Sequence, residues 1–435
     1  MFKYKVTFLS IFLTVFTASS VFSEDNSTDL DLLKDVLEKV KTEYVREVPT
    51  EELIEAAIRG VLQDLDPHSG YLDPNFYAQL RNNTKGEFGG LGIEVTYKDG
   101  DLIVVSPTEG SPAALAGINP GDIIKKIDGV IVRNLSLMEA VKLLRGEKGT
   151  AVKLTLAKKG SNEITDNVNV VRDVITLHSV SRRLLSKGIG VLRINQFVEK
   201  TAGEVQDAMS GLVYDNGGPL SGLVVDLRNN PGGLLMQAVK IGDIFLKDGV
   251  IVSIKGRDPA ESQEFFARND GQEPEYPIVT IINNGSASAS EIIAGALRDH
   301  GRSITVGTTS FGKGSVQTIT PLRNHGALSL TTALYYTKSG RSIQLTGVVP
   351  DVEVDSQDDE YLAPASKPKR REEDLPNAIQ NPTEGVLGKE EALQPVAEAI
   401  VKQKPSLEKD PELLLLARDL QLEKAVEILS SFPSA

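Results

Sequence analysis

Apolar residues recur at helical spacing at Leu33, Val36, Leu37, Val40 and Tyr44, and again at Leu53, Ile54, Ala57, Ile58, Val61 and Leu62 after Pro49-Thr50. This spacing predicts two amphipathic helices within a helical segment at 24–85 that packs on the rest of the protein. From about Gly86 the period changes. FGGLGIEV, then LIVVSPTEGSPAALAGINPGDIIKKIDG, then a helical LMEAVKLLRG and a strand VKLTLAK describe a small β domain with two helical segments over 86–170. Beyond about Val171 strands alternate with helices. GVLRINQF leads to a helix near Ala202 to Leu212, LSGLVVDLRNNPGG is a buried strand, a turn and a helix start, and IVTIINN precedes a helix carrying Ile292, Ile293, Ala296 and Leu297. The alternation argues for an α/β core over 171–355 with a parallel-type sheet, and ligands of such sheets gather beyond the carboxyl ends of the strands. Residues 229–233 and 283–288 both sit at such ends, so they are expected to meet.

After Val354 charge, Pro and Asn dominate and apolar periodicity fades, so 356–409 reads as a flexible acidic, Pro-rich linker with the basic cluster at 367–371 solvated. A final amphipathic helix is expected over 410–435, with Asp410 as N-cap and Pro411 at its first position. Such a helix seeks a partner. An oligomer contact is the first expectation, and docking on its own α/β core is the alternative.

Length and charge narrow the classes. At 435 residues and 40% hydrophobic content the chain can bury more than one core. It has no cysteine, which excludes disulfides, thiolate catalysis and cysteine-ligated zinc, and its four scattered histidines argue against a structural metal site. The formal charge of −13 argues against nucleic acid as a partner. Residues 1–23 carry Lys3 and Lys5, an apolar run from Val6 to Phe16 and small residues before Glu24, the layout of a secretory signal peptide. A periplasmic or otherwise extracytoplasmic protein is expected, with an uncleaved membrane anchor as the alternative.

The candidate chemistry lies at 283–317. Ser288 falls in the first turn of the helix after IVTIINN, where free N–H groups and a positive dipole end supply oxyanion donors, so it is a candidate nucleophile. Its base is sought in Lys313, set between Gly312 and Gly314, since none of the histidines suggests a triad. A free lysine near ~10.4 must fall by roughly three units to act near neutrality, about 4 kcal/mol, which burial can supply. Two plainer readings compete. Ser288 and Glu291 also fit a capping box, and the GTTSFGK stretch is a near miss to a phosphate-binding loop, with Gly314 where a Ser or Thr should hold magnesium. In the β domain, Gly89, Gly90 and Gly92 expose backbone N–H groups able to hold a terminal carboxylate.

GSASASEI, followed by FGKGSVQ with its lysine 25 positions after Ser288, resembles the C-terminal processing peptidases, also called tail-specific proteases. DLRNNPGG, RINQF, the 60–74 stretch GVLQDLDPHSGYLDP and the 330–352 stretch resemble motifs of the same family, and Leu334 and Lys338 depart from it. The resemblance implies a serine endopeptidase that works by acyl transfer without a cofactor, with Ser288 as nucleophile, Lys313 as general base and Gln317 orienting the lysine. It implies an oxyanion hole from the Ala289 N–H and one of Gly232 and Gly233, between which the sequence does not choose. His68 is read as structural. The 86–170 module resembles a PDZ domain, which implies a carboxylate loop at Gly90, Leu91, Gly92 and Ile93 and a groove that adds a peptide strand. Expected partners are proteins with exposed apolar C-terminal tails, an adaptor or activator, and further copies of the chain. A PDZ scaffold with a silent peptidase fold is the competing class.

Overall fold

The computed structural model describes residues 26–98, 100–108, 110–158, 164–176, 178–323, 325–355, 370–383 and 419–432. The chain divides into two units, Met1–Val61 and Leu62–Ala435. In the first, the apolar spacing becomes the helices Asn26–Glu43 and Thr50–Gln63, the latter running on into the second unit. Glu51 and Glu52 occupy its first turn, where unsatisfied N–H groups favour negative charge.

The second unit is built around a six-stranded sheet in the order Val180–Leu184, Ile189–Ile194, Gly222–Asp226, Ile278–Ile282, Ser303–Gly307 and Val352–Glu353. Its neighbours are parallel except for the first pair. Gly222–Asp226 and Ile278–Ile282 are buried throughout, which is why they read as unbroken apolar runs. Alternate side chains leave the sheet on opposite faces. Leu223 and Val225 join the core under the helices Thr201–Asn216, Leu235–Phe245 and Ala289–Asp299, whereas Val224 joins a second core.

That second core is closed by a helix at Leu420–Ser430, whose Leu422, Ala425, Val426 and Leu429 pack with Val224, Val279, Ile281 and Val306. The described part of the final helix therefore lies on its own α/β core, the alternative of the two expectations, since a parallel sheet needs cover on both faces. Asp419 caps it by accepting from the Leu422 N–H. The expected N-cap Asp410 and Pro411 lie outside the described residues, as do the signal-peptide stretch 1–23 and residues 356–369 and 384–418 of the expected linker.

Where that linker is described, at 370–383, it is anchored. The Arg371 guanidinium donates to the carbonyls of Ser310, Leu345 and Thr346, and Glu372 is fully buried. The reading of Arg371 as solvated is corrected. The anchoring uses carbonyl and carboxylate acceptors, which leave no apolar period to read.

An antiparallel sheet sets Gly70–Leu72, Ala327–Tyr336, Val250–Gly256 and Gln263–Phe266 side by side, with Ser315–Pro321 also on Ala327–Tyr336. Gly70–Leu72 is too short for a period to announce it. Ser315–Pro321 begins two residues after Lys313, so the GTTSFGK stretch opens a strand, not the helix that a phosphate-binding loop requires.

The inserted module has the strand order Ile93–Lys98, Asp101–Pro107, Ile123–Ile127, Ala151–Ala157 and Ile164–Val171, with short helices Pro112–Leu115 and Leu137–Leu144. Leu102, Ile124, Ile127 and Leu154 centre its separate core. The chain enters and leaves through one antiparallel pair, Glu87–Gly90 with Asp173–Thr176.

Candidate active site

Two strand ends meet as their position in the sheet predicts. The Asn229 N–H donates to Asn283 Oδ1 at 2.9 Å, and Asn283 Nδ2 donates back to Asn229 Oδ1 at 2.9 Å. The Asn230 carbonyl accepts from the Ala287 N–H at 3.0 Å and from Ser290 Oγ at 2.9 Å. These bonds seat the Gly232-Gly233 turn against Ser288. A Cβ built on Gly232 would stand 2.9 Å from both the Ala289 N and Ser288 Cβ, and one on Gly233 would meet the Phe197 carbonyl at 2.1 Å. Both glycines also hold positive φ, 96° and 141°, so a side chain is excluded twice over.

The turn distinguishes the two glycines. The Gly232 N–H is already committed to Asn230 Oδ1 at 2.9 Å. The N–H groups of Gly233 and Ala289 have no acceptor among the described residues.

Ser288 precedes the helix Ala289–Asp299 with φ 56° and ψ −115°, a conformation that costs a non-glycine residue about 1–3 kcal/mol and is tolerated when surrounding contacts over-determine it. Its side chain makes no capping bond, so the capping-box reading survives only in the reach of Glu291 back to the Ser288 N–H, at 2.7 Å. Near the hydroxyl stands the Tyr335 phenol, which burial pushes up to about 12 against the opposing pull of Ser288.

Glu291 is fully buried and accepts four hydrogen bonds, from the N–H groups of Ser288, Gly312 (2.7 Å) and Lys313 (3.0 Å) and from Ser310 Oγ (2.5 Å). Burial pushes its carboxyl up to about 7 against these donors. One carboxylate thus ties the start of the Ser288 helix to the loop that carries Lys313. Gly312 and Gly314 let that loop lie flat on the 344–345 backbone, since a Cβ on either would fall within 3 Å of it.

Burial pushes the Lys313 ammonium below its ordinary range, and the carboxylates of Glu372, Glu291 and Asp66 act in the opposite sense. Asp66 accepts from the His68 and Ser69 N–H groups and from the Ser69 and Thr331 hydroxyls, which outweigh burial and hold it below the usual carboxylate range. Among the described residues no hydrogen bond joins Gln317 to Lys313. The Gln317 amide nitrogen donates to Ser315 Oγ at 2.9 Å and Thr331 Oγ1 at 3.3 Å.

Sequence reasoning missed Tyr335, Asp66, Glu372 and Asp419. Tyr335, Asp66 and the Glu372 partner His68 lie inside stretches whose motif resemblance could have drawn attention to them. In the inserted module, the Leu91 carbonyl accepts from the Ala113 N–H at 2.9 Å, and the Gly92 carbonyl from the Thr108 N–H at 2.8 Å and Ser111 Oγ at 3.0 Å. Carbonyls pin this loop while the Leu91 and Gly92 N–H groups have no acceptor among the described residues. Ile93 begins the edge strand of the sheet.

Residues 188–354 match the model of peptidase family S41, residues 80–157 that of the PDZ domain, and residues 14–75 that of the activating protease CtpB N-terminal domain. The carboxy-terminal-processing protease of Bartonella bacilliformis is 48% identical over 354 residues, covering 80% of either chain. The carboxy-terminal processing protease CtpA of Bacillus subtilis is 34% identical over 356 residues, 80% of this chain and 74% of that one. Among solved structures, the photosystem II D1 C-terminal processing protease is 30% identical, matches 76% of this chain and 94% of its own, and superposes with a TM-score of 0.46. With 48% identity sustained across 80% of both chains, this protein belongs to the carboxy-terminal processing proteases of peptidase family S41.

Proposed function

We propose that the protein is a serine endopeptidase that cuts polypeptides near their C-termini, with Ser288 as nucleophile and Lys313 as general base. The observation that carries the reading is the Glu291 carboxylate, which binds the backbone N–H groups of both Ser288 and Lys313 and so makes their two loops one site. Neutral Lys313 takes the Ser288 proton, the alkoxide attacks the peptide carbonyl, the lysine hands its proton to the leaving amine, and water resolves the acyl-enzyme. The Ala289 and Gly233 N–H groups hold the oxyanion, Gly233 being preferred because the Gly232 N–H is committed to Asn230. Gln317, whose Nε2 is held by Ser315 and Thr331, keeps its Oε1 to accept from the lysine and orient it.

The PDZ domain takes the tail of a protein substrate. The α-carboxylate sits on the free N–H groups of Leu91 and Gly92, and the chain adds as a strand along Ile93–Lys98. The N-terminal lysines and apolar run support a periplasmic or extracytoplasmic setting. Fractionation of expressing cells, with this protein in the cytoplasmic fraction, would refute that setting.

The test of function incubates the full chain, Ser288→Ala and Lys313→Ala with an unstructured polypeptide ending in apolar residues and follows intact mass. Wild type cuts, and both folded variants lose roughly 10⁴-fold or more in rate. Cleavage by Ser288→Ala at the wild-type rate sinks the assignment. Tail binding without cleavage by the wild type favours the scaffold reading.

A further inference from the structure

Residues 370–383 lie beyond the stretch matched by the peptidase family model, yet Arg371 and Glu372 among them contact the Lys313 loop. The Glu372 N–H donates to the Phe311 carbonyl at 3.0 Å. Arg371, one residue before, donates to the carbonyls of Ser310 at 3.2 Å, Leu345 at 3.0 Å and Thr346 at 2.8 Å. The fully buried Glu372 carboxylate meets His68 Nε2 at 2.8 and 2.9 Å and accepts from Gln344 Nε2 at 3.1 Å. The other end of that amide, Gln344 Oε1, accepts from the Gly314 N–H at 2.9 Å. The loop is therefore gripped at 310, 311 and 314 by this segment, directly or through Gln344, and at 312 and 313 by Glu291.

We propose that Glu372 is a positioning residue of this peptidase: it docks residues 370–383 on the Lys313 loop, so that a segment outside the core tunes the base. The inference rests on the reading of Lys313 as that base. The carboxylates whose charge acts on Lys313 are Glu372 from this segment, Glu291 from the Ser288 helix and Asp66 from the turn before Gly70–Leu72. His68 faces Glu372, and Tyr335 faces Ser288. A carboxylate beside an ammonium favours the charged form, so Glu372 holds back the loss of the lysine proton. Removing its charge eases that loss and moves the acid limb of activity to lower pH.

The experiment measures the rate at which a fluorophosphonate probe labels Ser288 in the full chain, by intact mass, from pH 5 to 10. This readout needs no tail capture. Wild type is compared with Glu372→Gln, Glu372→Asp and Arg371→Ala, with Ser288→Ala and Lys313→Ala as controls. Glu372→Gln is expected to shift the acid limb downward, labelling roughly 3–10-fold faster on that limb, one pH unit being tenfold. Glu372→Asp keeps the charge and restores the wild-type limb. Arg371→Ala, which loosens the segment without opening the buried pocket, shifts the limb the same way by less. A limb unmoved in both Glu372→Gln and Arg371→Ala, including a uniform fall in rate at every pH, would overturn the inference. Labelling with an unchanged pH profile in Lys313→Ala would instead refute the base reading.

Discussion

Glu291 is the residue on which the geometry of the site converges, and its burial gives it a measurable signature. Four donors favour the carboxylate, but full burial dominates and pushes its carboxyl up to about 7. An acid whose folded pKa lies above its unfolded value contributes stability that is fully present below about 4.3 and is lost as pH rises through about 7. The thermal midpoint should therefore carry a component that falls between pH 5 and pH 7.5. In Glu291→Gln that component should vanish, and the midpoint should drop at both pH values. A neutral amide has one acceptor oxygen for four donors, and each orphaned donor costs about 1–3 kcal/mol. An unchanged slope between the two pH values in the variant would contradict this account. From sequence alone Glu291 reads as the far half of a capping box. Its contacts to Ser310, Gly312 and Lys313 come from a loop about twenty positions away, which local spacing does not encode.

The elements beyond the peptidase core divide into those that periodicity announces and those that it does not. The helix Leu420–Ser430 has the apolar spacing of a docked helix, and only its partner was open. Its anchor is ionic. Asp419 accepts from Arg228 Nη1 at 2.7 Å and Nη2 at 2.8 Å, while Asp226, at the end of the strand that leads into Arg228, holds the same guanidinium. Although burial opposes it, these carboxylates keep Arg228 charged, and Arg228 in turn holds Asp419 below the usual carboxylate range. The helix is thus tied to the turn that presents Gly232 and Gly233. Asp419→Ala should destabilise the protein by about 1–3 kcal/mol, less than the 3–5 of a fully buried pair because the Asp419 side chain is 33% exposed. With the folded pKa depressed, this contribution is present above about pH 4 and lost as pH falls through the folded value. Thermal unfolding at pH 7 checks the loss, and a midpoint equal to wild type would refute the coupling. The segment at 370–383 is the opposite case. It reads as linker because Arg371 and Glu372 are held by carbonyls, His68 and Gln344, all distant in sequence.

At the scale of the molecule, a chemical site and a recognition site share one unit but keep separate cores, joined by the pair Glu87–Gly90 and Asp173–Thr176. Both were legible as composition changes: continuous apolar runs for buried parallel strands, short alternating runs and glycines for the PDZ sheet. The convergence of 229–233 with 283–288 was legible too, because strand ends in a parallel sheet share one side. The tertiary partners of Ser288 and Lys313 were not, since Tyr335, Asp66 and Glu372 reach them only through the fold. The central claim is that the PDZ loop captures a free C-terminus for the Ser288 site. The most direct measurement compares cleavage of two unstructured polypeptides, identical except that one ends in a carboxylate and the other in an amide. Loss of charge-assisted hydrogen bonds to the Leu91 and Gly92 N–H groups should lower kcat/KM for the amide roughly tenfold or more. Equal kcat/KM for the two substrates would contradict the account.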